Sequence, residues 1–251
     1  MSEKIKNLDE LEQLALSRPK QTVALAAANS EEALLAVEYA RQKGILDAHL
    51  VGDLDLMKPI CEKNGIDLGN YQVTDVKDPK EAAAAAVALI REGKAHLLMK
   101  GLVETSDFLR AVLSSATGIR GTDRMCALVV LECRAVDKLL ILGDVGVNIA
   151  PTLEEKASIL KSCFSVARAM GIEHPKDAVL CANEHIKDSM PCTVDAGKLA
   201  EMARRGEIDC MGGTVDGPIS MDIAVNEHAA RIKKYPGNIQ GDADILLVPD
   251  L

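Results

Sequence analysis

Short apolar runs of strand length recur along the chain, each followed by a polar or glycine-containing break and then a stretch with helical spacing. The opening MSEKIKNLDELEQLAL is a charged amphipathic pattern and predicts a leading helix. Residues 22–28 (TVALAAA) read as a buried strand. Asn29, with Glu32 three positions on, is a capping-box pattern opening a helix that runs to about Lys43 and stops at Gly44. Residues 48–52 and 71–76 predict two more strands, with a helix over 54–64 between them. Asp78-Pro79-Lys80-Glu81 then opens an alanine-rich helix ending near Gly93, with proline at the first helical position. Residues 96–99 (HLLM) make a fourth strand. Strands apolar on both faces, joined through helices by short connections, imply a parallel sheet covered by helices on both sides.

The rhythm changes after a helix that starts at Thr105 and ends near Ser114. Residues 114–124 (SSATGIRGTDR) form a polar loop with two glycines and two arginines, long enough to be functional. Residues 126–132 and 138–144 predict two strands with a short charged link, the pattern of an antiparallel hairpin. That break is the best candidate for a domain boundary and divides the chain into 1–134 and 135–251. Thr152 and Glu155 cap a long helix to Met170, 177–183 is a strand, and Thr193 to Arg205 a helix. A glycine-rich loop, 211–220, feeds a helix over 221–233, and 243–249 (ADILLVP) reads as a fully buried central strand with nothing after it. A doubly wound sheet would follow such a strand with a loop and a covering helix, so the sequence reads as stopping early.

One stretch carries the first hint of chemistry. In HLLMKGLVETSDFLRAVL (96–113) an apolar run stops at Lys100 and Gly101, just before a helix start that carries Arg110 about a turn in. The lysine supplies charge, the glycine permits close backbone approach, and the free N–H groups of a first helical turn face an anion. An ordinary strand–turn–helix with a solvated Lys and Arg fits the same residues. Two further polar loops, 143–151 and 212–220, follow predicted strands, where open α/β sheets place ligands. Asn148, Thr214 and Ser220 there, with Lys100 and Thr105, suit an anionic ligand, and Arg110 and Arg120 offer planar forks for phosphate. Asp144 and Asp216 stand beside glycines, where turn roles compete with chemical ones.

Composition removes several alternatives. With no Trp, two Phe and three Tyr, the chain lacks base-stacking platforms, and a net charge of −9 opposes a duplex-binding surface. Its seven cysteines stand singly with no C-x-x-C, which fits neither a disulfide framework nor a zinc site and suits a reducing, cytoplasmic compartment. Five histidines show no metal-ligand spacing. No apolar run approaches the roughly 20 residues of a membrane span. The common dinucleotide, P-loop and hydrolase signatures are missing.

The succession MKGLVETSDFLRAVL, GIRG, LGDVGVNIAPTLEEKASIL, MPCTVDAGKLAEMA, VDGPISMDIAV and ADILLVPDL resembles the phosphate acetyl/butyryltransferase family, the butyryltransferase branch most closely, from about residue 20 to the last residue. The resemblance implies an α/β fold of two α/β/α domains flanking a cleft, isocitrate/isopropylmalate dehydrogenase-like, with mostly parallel sheets. It implies transfer of a short acyl group between coenzyme A and inorganic phosphate, with acyl-CoA as substrate, no tightly bound cofactor, no metal and a homodimer or higher homo-oligomer. By position, Lys100, Gly101, Thr105 and Arg110 match the first-domain cleft motif and Arg120 the basic loop after it. Asp144, Asn148 and Pro151 match the loop across the cleft, and Asp216, Gly217 and Pro218 a further glycine loop. Arg110 and Arg120 are expected on CoA phosphates or inorganic phosphate, with Lys100 and Thr105 assisting.

Two departures stand out. Butyryltransferases show Ser-His where this chain has Cys126-Ala127, a stretch that reads here as packed core. The family continues beyond VPDL with a segment that holds a catalytic Ser-Arg pair and packs back onto the first domain, so no catalytic residue is assigned here. A non-catalytic CoA- or phosphate-binding subunit or sensor is the alternative. A dehydrogenase of the related fold lacks its acidic metal cluster and nicotinamide features in this sequence.

Overall fold

The computed structural model describes residues 5–121 and 124–250. Four positions of the expected leading helix, two of the 114–124 loop and Leu251 lie outside the described residues. The leading helix itself is α1 (Leu8–Leu16). Backbone proximity divides the chain into two compact units, Glu12–Thr122 and Met1–Leu11 with Asp123–Leu251.

The unit Glu12–Thr122 is built on four parallel strands: β1 (Gln21–Ala26), β2 (Leu46–Gly52), β3 (Gln72–Asp75) and β4 (Leu97–Lys100), in the order β3-β2-β1-β4. Alternation along β1 explains why its run is apolar throughout. Val23 and Leu25 pack on α2 (Glu31–Gln42) and α3 (Leu54–Asn64), while Ala24 and Ala26 pack on α4 (Pro79–Arg91) and α5 (Thr105–Val112). Small alanines on both the sheet and α4 let that layer sit close. Two local details differ from the sequence reading. Helix α2 is capped by Ser30, whose Oγ accepts the Ala33 N–H at 3.3 Å. Asn29 is used elsewhere: its Oδ1 accepts the Asp53 N–H at 3.1 Å and ties the end of β1 to the end of β2. And β4 is an edge strand, with Leu97 50% exposed, rather than a buried one.

The second unit carries β5 (Leu128–Glu132), β6 (Leu139–Gly143), β7 (Lys176–Leu180), β8 (Thr214–Ile219) and β9 (Ile245–Leu247), in the order β5-β6-β9-β7-β8. Only β5 runs antiparallel, paired with β6 as the hairpin pattern predicts. Both hairpin strands belong to this sheet, so a boundary after residue 134 would cut it; the division falls ahead of β5. β9 is central and buried, as its apolar run requires. Helices α6 (Leu153–Ala169) and α7 (Pro191–Arg204) follow β6 and β7, and α8 (Met221–Val225) and α9 (Glu227–Lys233) cover Leu140, Ala178, Ile219 and Leu246. The single helix expected over 221–233 is two, because Asn226 leaves the helix and accepts the His228 N–H at 2.9 Å to cap the second. The glycine-rich stretch 211–220 is largely strand: Asp216-Gly217-Pro218 lies inside β8, an edge strand, where proline's missing N–H is tolerated.

Candidate functional site

In the first unit the strand order reverses at β1, with β2 on one side and β4 on the other. The crevice at the carboxyl ends of β1 and β4 is therefore the ligand position of an open parallel sheet. Lys100, Gly101 and Thr105 are brought together there, lining a concavity of about 480 Å³ with Lys80, Glu104 and Asp107. Helix α5 starts after Glu104 with no side-chain cap, so its first-turn donors have no internal acceptor from a side chain. The Lys100 ammonium donates to the carbonyls of Gly101 (3.3 Å) and Val103 (3.0 Å), holding the turn shut.

Gly101 has a structural reason beyond any ligand. Its N–H donates to Ala26 O and that of Leu102 to Ala27 O, both at 2.8 Å. A Cβ on Gly101 would stand 2.8 Å from Ala26 O and closer still to Ala27 O. The approach that glycine permits is to the chain's own backbone. Arg110, one turn along α5, is outside the concavity lining, 72% exposed at its side chain and paired with Asp107. Arg120 is exposed in the loop after α5 and has no ion-pair partner among the described residues.

The second unit contributes a tighter constellation at the carboxyl end of β6. Asp144 is 2% exposed, and its Oδ1 accepts the N–H groups of Gly146 (2.8 Å) and Val147 (2.9 Å). Its Oδ2 accepts the Asn148 amide, which also donates to Met125 O at 3.1 Å. Burial pushes the Asp144 carboxyl up, and these donors outweigh it and hold its pKa below the usual value. Asn148, itself 5% exposed, turns its Oδ1 to the Arg124 Nε. The Arg124 guanidinium also pairs with Glu155 at 2.6 Å, in the first turn of α6. Pro151 is buried just ahead of the Thr152–Glu155 capping box that fixes this helix start. Asp144 thus sets Asn148, and Asn148 sets Arg124.

Arg124 opens onto a groove of about 570 Å³ lined also by Cys126, Lys161, Ser162 and Ser165. None of these was singled out from sequence as part of a site. The signal was present: Ser158, Lys161, Ser162 and Ser165 recur at helical spacing and form one polar stripe on α6. Cys126, expected as packed core, is half-buried on this groove, and burial raises its thiol pKa.

Asp216, Gly217 and Pro218 are not brought to this edge. Asp216 pairs in register with Ala178 in the middle of β7, and its Oδ2 accepts the N–H groups of Asn238 and Ile239, the latter at 3.0 Å. It anchors the segment leading to β9. Gly217 admits close packing, since a Cβ there would lie 2.8 Å from Val179 Cβ. Thr214 starts the same strand. Ser220, at the carboxyl end of β8, is enclosed by Glu184, Asp222 (2.6 Å) and Lys233 (3.1 Å). Among the described residues no group of three or more His, Cys, Asp or Glu side chains is placed to hold a metal, and no helix is long and apolar enough to cross a membrane.

Residues 76–251 match the model of the family described as phosphate acetyl/butaryl transferase. The chain belongs to that family. It is 42% identical over 247 residues to the phosphate butyryltransferase of Clostridium acetobutylicum, covering 98% of this chain and 81% of the relative. The phosphate acetyltransferase of Thermotoga maritima is 35% identical over 97% of this chain and 82% of its own length. Among solved structures, a branched-chain phosphotransacylase from Enterococcus faecalis V583 superposes with a TM-score of 0.76 at 30% identity, over 92% of this chain and 79% of that one. The mostly parallel α/β fold is that of the phosphotransacylases in this family.

Proposed function

We propose that the protein is a phosphate acyltransferase that moves a short acyl group between coenzyme A and inorganic phosphate: acyl-CoA plus phosphate gives acyl phosphate plus CoA. The observation that carries this is the 42% identity to a phosphate butyryltransferase along nearly the whole chain, with both anion-suited constellations inside the aligned length. The reaction asks a site to hold two polyanions and to meet the negative charge of a tetrahedral intermediate. Lys100, Thr105 and the uncapped start of α5 serve a phosphate, with Arg110 and Arg120 on CoA phosphates. Asp144 and Asn148 keep Arg124 in one orientation, so that its remaining N–H groups meet an anion without a further loss of side-chain freedom. Pro151 holds the turn into α6.

The finer features implied by the resemblance belong to the same proposal: two α/β/α domains flanking a cleft, as in isocitrate/isopropylmalate dehydrogenases, a cytoplasmic homodimer, and no tightly bound cofactor. Seven free thiols support a reducing compartment. The test is release of CoA thiol from acetyl-, butyryl- and branched-chain acyl-CoA, with and without inorganic phosphate. Phosphate-dependent release with stoichiometric acyl phosphate is expected. No phosphate-dependent release from any short acyl-CoA would refute the reading.

A further inference from the structure

The groove onto which Arg124 opens is polarised along α6. At one end the Arg124 backbone N–H donates to Ser158 Oγ at 3.3 Å, and its guanidinium is tied to Asn148 and Glu155. Lys161 stands three residues beyond Ser158, on the same side of the helix, and lines the groove. Glu155 answers the Arg124 charge, whereas Lys161 has no ion-pair or hydrogen-bond partner among the described residues. That leaves an uncompensated cation beside an oriented one, in a chain whose net charge is −9.

The other end has the opposite character. The turn before β8 packs on α6, since a Cβ added to Gly213 would stand 2.6 Å from Phe164 Cε1. Asp209 Oδ1 accepts the Met211 N–H at 2.9 Å, which leaves Oδ2 for a ligand, and no cation pairs with Asp209 among the described residues. Met211 is held at φ +49°, a left-handed conformation uncommon outside glycine, and its side chain lines the groove with Val166. A thioether is soft and polarisable and favours contact with an aromatic ring. From Ser158 to Phe164 the helix rises about 9 Å, the scale of the reach from a nucleotide's phosphate to the far edge of its base.

A matching ligand is anionic at one end, flat and apolar further along, and a hydrogen-bond donor at its far edge. Inorganic phosphate meets only the first demand. We propose that this groove binds an adenosine phosphate, with the phosphate on Arg124 and Lys161, the base against Met211 and Val166, and the exocyclic amine donating to Asp209 Oδ2. Free adenine nucleotides carry this group, and so does coenzyme A. Only the CoA source rests on the proposed function; binding of the group does not.

The probe is ADP, titrated calorimetrically into the full chain, with hydrogen exchange locating the protection. Protection of α6 and of residues 124–128 is expected, with a Kd raised about tenfold by Lys161→Glu, an exposed position where the fold tolerates the change. Asp209→Asn keeps an oxygen for the Met211 N–H and turns an amide donor toward the base. Wild type should prefer ADP to IDP, whose base carries a carbonyl in place of the amine, and the variant should lose or reverse that preference. No ADP binding, or binding indifferent to Lys161→Glu, overturns the site. Pyrophosphate binding as tightly as ADP overturns the base end, and an ADP-to-IDP ratio unmoved by Asp209→Asn overturns the contact to Asp209. CoA that displaces ADP makes the substrate the source of the group; CoA that binds alongside ADP makes it a free nucleotide, and both results uphold the site. These measurements need no turnover, so they decide the groove even where phosphate-dependent CoA release is absent and the acyltransferase reading fails.

Discussion

Asp177 offers the sharpest quantitative test of the second sheet. It pairs in register with Val215 of β8 and Ile245 of β9, is 0% exposed, and neither carboxyl oxygen has a hydrogen-bond partner. Burial pushes its pKa from 3.8 up to about 8. The folded state therefore holds a proton that the unfolded chain gives up between these values, and stability falls as pH rises through that window. The slope for one group is about 1.4 kcal/mol per pH unit, or about 4 kcal/mol from about pH 5 to about pH 8. The thiols facing Asp177, Cys163 on α6 and Cys210 before β8, are themselves pushed up by burial, Cys210 to about 11, so both stay neutral across this range. The perturbation is Asp177→Asn, nearly isosteric and without charge. Urea unfolding of wild type and variant at each pH, read by hydrogen exchange in the β7 peptide, reports only the unit that holds the residue. The stability difference between the two should move by about 4 kcal/mol in the variant's favour between pH 5 and pH 8. A constant cost for the orphaned amide, about 1–3 kcal/mol, drops out of that change. Parallel pH profiles would show that the carboxylate is not held dry, and would refute the reasoning.

Asn148→Ala removes the amide that joins Asp144 to Arg124; it should cost roughly 2 kcal/mol of stability and at least about tenfold in kcat/KM, with unchanged turnover counting against an oriented Arg124. Arg120→Ala and Arg110→Ala change exposed side chains, so melting temperature should hold while KM for acyl-CoA rises roughly tenfold; a fall in melting with constant KM would reassign them to structure. Gly101→Ala drives a methyl group into the Ala26 and Ala27 carbonyls and should lower stability by about 1–3 kcal/mol, measured by thermal unfolding, whether or not substrate is present. Stabilisation by added phosphate that persists in that variant would show that the glycine serves packing alone.

The alternation of apolar runs and capped helices was enough to place most strands and helices, because those signals are local: β1 and β9 are buried where their runs are uninterrupted, and α4 and α6 start at the caps their sequences spell. β8 was hidden because Asp216-Gly217-Pro218 looks like a turn, and only an edge position beside β7 lets such residues pair. The hairpin was legible, but its membership of the second sheet was not, since a strand's partner beyond its hairpin mate is a long-range choice.

The same division runs through the candidate site. The sequence by itself determined the chemistry available: a lysine and glycine at a strand end, an aspartate and asparagine four residues apart, two arginines in one polar loop. Tertiary structure decided how these residues are used. It turned Gly101 toward the chain's own carbonyls, placed Asp216 inside β8 to hold the 238–239 backbone, and linked Asp144, Asn148 and Arg124 in a chain of hydrogen bonds. Residue type sets what a side chain is able to donate or accept. Asp144 is satisfied within its own turn, whereas the partners of Gly101, Asn148 and Asp216 come from segments far apart in sequence, and only packing brings those within hydrogen-bond distance.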